Sequence, residues 1–150
     1  MSGETDLIKL YSGQILGLAS DMPFTERLEN PDGSSKKRSP LCGSTITVDV
    51  NLSDGKITEF GQDVKACALG QAAASVVARN VIGSDRAQLE TVRDALKAML
   101  KEDGPTPPAP FDGLEVLRPA RDYKNRHASI LLALEATLDA VEQAEQSACA

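Results

Sequence analysis

Three residues of this chain carry side chains that together could form a site: Cys42, Cys67 and His127. Thiolate and imidazole are donors that suit zinc and iron, and a thiolate is also a nucleophile. Their spacing is not that of a close pair such as Cys-x-x-Cys, so a metal site requires three distant segments to meet. Each residue also has a plainer use. Cys42 fits a buried structural thiol, Cys67 a small residue in an alanine-rich helix, and His127 a hydrogen-bonded core histidine. Cys149, in a polar stretch, receives no role. A Cys/His hydrolase finds little support, because neither an orienting acid near His127 nor an oxyanion-hole glycine motif can be identified.

The elements that must position these residues can be read from hydrophobic periodicity. Pro40-Leu41-Cys42-Gly43 is a turn leading into a strand over 45–52. There Ile46, Val48, Val50 and Leu52 face one way, and Thr45, Thr47, Asp49 and Asn51 the other. Ser53-Asp54-Gly55 signals a hairpin, with a return strand over 56–61 and Gly61 as a candidate bulge. Upstream, Leu7, Leu10, Tyr11, Ile15 and Leu18 define a first amphipathic helix over 6–18. A short extended segment over 25–29 follows and ends in the turn Asn30-Pro31-Asp32-Gly33. Lys36, Lys37 and Arg38 then fall in a Gly/Ser loop, as a solvated cluster or a docking patch for an acidic partner.

Cys67 opens a helix of small side chains that should end near Gly83. Ser84 can cap the next helix, which carries Leu89, Val92, Leu96, Met99 and Leu100 on one face and Gly104 beyond its end. The proline-rich stretch 105–110 is a stiff connector. A last helix runs from Asp122 into the 140s with the stripe Tyr123, His127, Ile130, Leu131, Leu134, Leu138 and Val141, which puts the sole histidine on the core-facing side. Residues 143–150 are expected to be a frayed tail.

Composition bounds what such a site can serve. With 150 residues and 41% hydrophobic content the chain suffices for one domain, 1–150, with a core over about 6–142. Aromatics are only 3% and tryptophan is absent, so the core must be aliphatic and its helices closely packed. A net charge of −6 argues against nucleic acid as a partner. No apolar run reaches the roughly 20 residues of a membrane span. The acidic start Met1-Ser2-Gly3-Glu4-Thr5-Asp6 is unlike a signal peptide, which leads to a cytoplasmic expectation. An odd number of widely spaced cysteines fits no disulfide framework.

Pro40-Leu41-Cys42-Gly43 entering a strand, Cys67 opening a small-residue helix with Ala72-Ala73-Ala74-Ser75, and His127-Ala128-Ser129-Ile130-Leu131 on a C-terminal helix together resemble the iron–sulfur cluster assembly scaffold family of IscU, SufU and the NifU N-terminal domain. The likeness spans about 6–142. It implies an α+β fold in which a small antiparallel sheet of about three strands is packed on one face by helices. It also implies a cytoplasmic, non-enzymatic scaffold whose partners are a cysteine desulfurase and recipient iron–sulfur apoproteins.

Carried over position by position, Cys42 and Cys67 match two of the family's three thiols. Ser44 stands where its aspartate is expected. Ala128 replaces the third cysteine in one alignment, while in another His127 takes its place. The resemblance therefore implies a Cys42, Cys67, His127 site for iron, a labile iron–sulfur cluster or zinc, with a cluster shared across a homodimer as a further arrangement. Two other functions stay open: a zinc-bearing sulfur acceptor for a desulfurase, and a degenerate scaffold acting as a binding or regulatory module.

Overall fold

The computed structural model of the protein describes residues 13–40 and 43–149. Its order is α1 (Gly13–Ser20), β1 (Gly33–Arg38), β2 (Thr45–Ser53), β3 (Lys56–Lys65), α2 (Ala68–Asn80), α3 (Arg86–Glu102), a 3₁₀ segment (Asp112–Asp122) and α4 (Lys124–Cys149). The part of the expected first helix before residue 13 lies outside the described residues. The three strands form one antiparallel sheet in the order β1-β2-β3, and α4 crosses β1 and β2. This is the α+β arrangement expected from the sequence.

The β2–β3 hairpin follows from its turn. Asp54 and Gly55 both take positive φ, 54° and 78°, as a two-residue type I′ loop requires. Ile46, Val48 and Val50 are buried on the helix-facing side. The register shift falls between Asn51 and Leu52 rather than at Gly61. Gly61 is needed for another reason: a Cβ there would lie 2.5 Å from the Glu26 carbonyl oxygen.

One expectation about the N-terminal third is corrected. The segment 25–29 lies outside the sheet, and the supposed Gly/Ser loop is the edge strand β1, with Lys36, Lys37 and Arg38 as its exposed end. The extended backbone is satisfied by pairing with β2, where Gly33 faces Val50 and Arg38 faces Thr45. Gly33 also admits α4, since a Cβ would stand 1.9 Å from the Ala140 carbonyl oxygen. Ser35 Oγ then donates to Asp139 Oδ2 at 2.6 Å.

α2 is buried nearly all round, with Leu69, Ala72, Ala73, Ala74, Val77 and Ala78 in the core. Small side chains let it lie between α1 and α4. α3 buries the five residues that its periodicity marks: Leu89, Val92, Leu96, Met99 and Leu100. Each such aliphatic burial contributes about 1.5–3 kcal/mol. Its N-cap is Asp85, whose carboxylate accepts from the Gln88 N–H, rather than the neighbouring Ser84. Asp103 ends it in the left-handed conformation, ahead of Gly104. α4 begins at Lys124, two residues later than expected, and continues through the supposed tail to Cys149, with Ala144 buried. No helix among the described residues is long and apolar enough to cross a membrane.

Candidate functional site

Cys67 occupies the N-cap of α2 in an extended conformation, φ −67° and ψ 168°. Its carbonyl accepts from the Gln71 N–H at 2.9 Å, which starts the helix, while the partly exposed thiol turns toward α4. There Sγ lies 3.6 Å from the hydroxyl oxygen of Ser129. The close approach of the two helices is set by Gly70, where a Cβ would meet Ser129 Oγ at 2.7 Å.

Ser129 is fully buried, and its hydroxyl also lies 3.0 Å from that of Ser44. Ser44 is the residue just before β2. The backbone leading to it is closed on itself: the Gly43 N–H donates to the Ser39 carbonyl at 2.9 Å, and the Ser39 N–H to the Ser44 carbonyl at 2.8 Å. Gly43 takes φ 71°, the left-handed region that favours glycine. Cys42 itself lies outside the described residues. Gly43 and Ser44, which follow it in the chain, are held where Ser44 meets Ser129 and, through Ser129, Cys67. Three segments distant in sequence thus converge on one corner.

His127 sits in the first turn of α4 and is 5% exposed. Its Nε2 lies 3.0 Å from the Ala120 carbonyl oxygen and 3.1 Å from that of Arg121. A carbonyl only accepts, so Nε2 carries a proton, and in the neutral ring the lone pair is on Nδ1. Those carbonyls are held by the 3₁₀ segment, which Arg118 ties to the end of α3. Arg118 donates to Asp103 Oδ1 at 2.9 Å, to the Gly104 carbonyl at 2.8 Å and to Glu115 Oε2 at 2.6 Å. Hydrogen bonds from Arg118, and then from Thr106, hold the Glu115 carboxyl below its ordinary range.

Cys67 and His127 therefore meet different neighbours. Residues two apart on a helix stand about 200° apart around its axis. Ser129 faces α2, whereas His127 reaches the 3₁₀ segment, and no described hydrogen bond joins the imidazole to the thiol. Among the described residues, which leave out Cys42, no three His, Cys, Asp or Glu side chains are grouped to hold a metal ion. Sequence reasoning missed Ser129 as a member of the corner. The signal available was the set of small residues, Ala66, Gly70 and Ser129, that allows two helices to touch.

A second polar centre was also missed. Asp49, assigned by alternation to the polar face of β2, is fully buried beneath the segment that carries Arg27. Burial would push its carboxyl up, but hydrogen bonds from Arg27, Ser34 and the Leu28 N–H hold it below the usual value.

No protein-family model matches the chain, and a comparison with curated proteins finds no match. Solved structures do match. A nitrogen-fixing NifU-like protein (N-terminal) from Brucella abortus is 45% identical, with a TM-score of 0.91, covering 94% of this chain and 98% of that one. A protein assigned as an iron–sulfur cluster assembly scaffold for the SUF system of Fervidobacterium islandicum has a TM-score of 0.78 at 18% identity, covering 89% of this chain and 98% of that one, a likeness of fold.

Proposed function

The chain belongs to the NifU-like N-terminal family, and from that premise we propose that it is an iron–sulfur cluster assembly scaffold with Cys42 and Cys67 as its thiol donors. The observation that carries this reading is the contact of Cys67 with Ser129 and, through Ser129, with Ser44, directly beside the Cys42 turn. The cluster is cargo here, assembled on the protein and passed on. Such a role calls for soft donors at an accessible place and only moderate retention. Cys67 is partly exposed, and the hydroxyl of Ser44 in place of a carboxylate favours release over tight holding.

His127 is the third donor carried over from the family resemblance, although its ring lies toward the 3₁₀ segment and the α3–α4 groove rather than the Cys67 corner. A ligating histidine commonly donates its other N–H to a backbone carbonyl, and the Nε2 contacts with Ala120 and Arg121 have that character. The partners are a cysteine desulfurase as the sulfur source and apoproteins as recipients, in the cytoplasm, where thiols stay reduced.

A second reading is favoured by the lack of an acid among the described contacts of this corner. Thiols and imidazole without a carboxylate suit zinc, and a zinc-bearing sulfur acceptor would use them. In that step the thiolate attacks the outer sulfur of a desulfurase persulfide. A new S–S bond forms on this chain, the S–S bond of the donor breaks, and the donor cysteine leaves as a thiolate.

The test is zinc and iron content of protein purified without chelator, followed by anaerobic reconstitution with iron and sulfide, for the wild type and for Cys42→Ala, Cys67→Ala and His127→Ala. A coloured, cluster-bearing wild type with loss in the two cysteine variants supports the scaffold. Near-stoichiometric zinc without cluster formation favours the sulfur acceptor. Neither metal nor cluster in the wild type sinks both and leaves a binding module. Loading that survives His127→Ala removes that residue from the donor set.

A further inference from the structure

The two ends of the seam between α3 and α4 are built differently. At one end Arg86 reaches across to Glu142 at 2.9 Å and Glu145 at 3.2 Å, so the helices are closed by ion pairs and run antiparallel. Toward the other end the seam opens into a groove of about 490 Å³ edged by Lys97 and Lys101 from α3 and Lys124 from α4. None of these three lysines is joined to an acid in the ion pairs of the described residues.

The local field is more positive than the lysines alone would make it. Lys124 opens α4, whose first turn carries no acidic residue, so the positive end of the helix adds to its charge. Lys97 and Lys101 lie one turn apart on the same face of α3. Ala128 and Leu131, also about one turn apart, line the groove between the cationic edges. The acids Asp94 and Glu135 lie at the Arg93 end, where Arg93 pairs with Asp94 at 3.2 Å. The groove is thus polarised along its length, on a chain whose net charge is −6.

We propose that this groove docks an acidic segment of a partner protein, with carboxylates against Lys97, Lys101 and Lys124 and an apolar side chain over Ala128 and Leu131. A protein segment fits better than a small anion. The cations are spread along two helix edges with an apolar strip between them, and do not converge on one point. The negative charge of the rest of the molecule repels an acidic partner elsewhere and so concentrates it here. His127, proposed above as a donor, also lines this groove, so the proposal adjoins that set, but it does not depend on metal or cluster binding and is read on metal-free protein.

The test uses the full chain and a fluorescein-labelled peptide alternating glutamate and leucine, read by fluorescence anisotropy. Saturable binding is expected, weakening as salt is raised. Lys97→Glu with Lys101→Glu should raise Kd at least about tenfold. Lys124→Glu, an independent variant on the other helix, should weaken it in the same direction, while Lys56→Glu at the hairpin should leave it unchanged. Unaltered melting of these exposed-site variants shows that the fold is kept. Equal binding of the glutamine version of the peptide, or indifference to the groove substitutions, overturns the proposal. So does tighter binding of tripolyphosphate, which would mark a small-anion site. Self-association in sedimentation that disappears in the same variants would make the occupant a second copy, and also overturns it.

Discussion

Two buried polar clusters stand at different points along β2, and they are made in opposite ways. In the middle of the strand, Asp49 accepts from Arg27 Nε at 2.6 Å, Arg27 Nη2 at 3.0 Å, Ser34 Oγ at 2.6 Å and the Leu28 N–H at 3.1 Å. Just before the strand, Ser44 and Ser129 share a neutral hydroxyl contact at 3.0 Å, and the Cys67 thiol touches it at 3.6 Å. The first cluster holds a full charge with every oxygen engaged, so it fastens the 23–28 segment to the sheet. Among the described residues the second contains no charge to compensate, and it leaves its thiol partly exposed. A structural charge must be locked because an unpaired one is costly, whereas the cargo-releasing site proposed above would be better served by weak neighbours.

The largest effect should come from unpairing the locked cluster. Arg27→Ala leaves the Asp49 carboxylate, 0% exposed, without its counter-charge, and should cost about 3 kcal/mol in urea unfolding. A loss within about 0.5 kcal/mol would mean that water reaches the carboxylate and the contrast is wrong. The acid dependence sharpens the same point. Asp49 has a folded value below its ordinary one, so its contribution is complete above the ordinary carboxylate value of about 4 and fades as pH falls from there through the folded value. The stability gap between wild type and Asp49→Asn should therefore narrow in that acidic window and stay flat above it.

Smaller changes probe the neutral corner. Ser44→Asp places a carboxylate at a position 3% exposed, and should cost about 1–3 kcal/mol in apo stability while strengthening metal retention in dialysis against chelator. Unchanged retention would show that position 44 does not face the cargo. Ser129→Ala removes one hydroxyl contact from each of Ser44 and Cys67, and should cost about 1 kcal/mol by thermal melting. A loss as large as that of Arg27→Ala would erase the distinction between the clusters.

Much of the scaffold was legible before any coordinates. The alternation over β2, the Asp54-Gly55 turn and the stripe from Leu89 to Leu100 each express a local period, and local periods are visible in a single sequence. β1 was not legible, because Gly33-Ser34-Ser35-Lys36-Lys37-Arg38 has no apolar alternation. It is a strand because β2 supplies hydrogen-bond partners and Gly33 lets α4 come close. The burial of Asp49 was hidden for a similar reason: alternation names two faces of a strand but does not say that an irregular segment covers the second.

At the candidate site the same division holds. Residue types alone determined that soft thiol donors at Cys42 and Cys67 are available on an acidic, aromatic-poor chain, and that the helix opened by Cys67 is made of small residues able to pack closely. Tertiary structure decided which groups meet. It put the Cys67 thiol beside Ser129, turned the His127 ring toward the carbonyls of Ala120 and Arg121, and left Lys97, Lys101 and Lys124 around an open groove. The reason is physical: chemical type and local period belong to a residue and its neighbours along the chain. Proximity across the fold depends on how closely two helices and a sheet can approach, and that is settled only when all of them pack together.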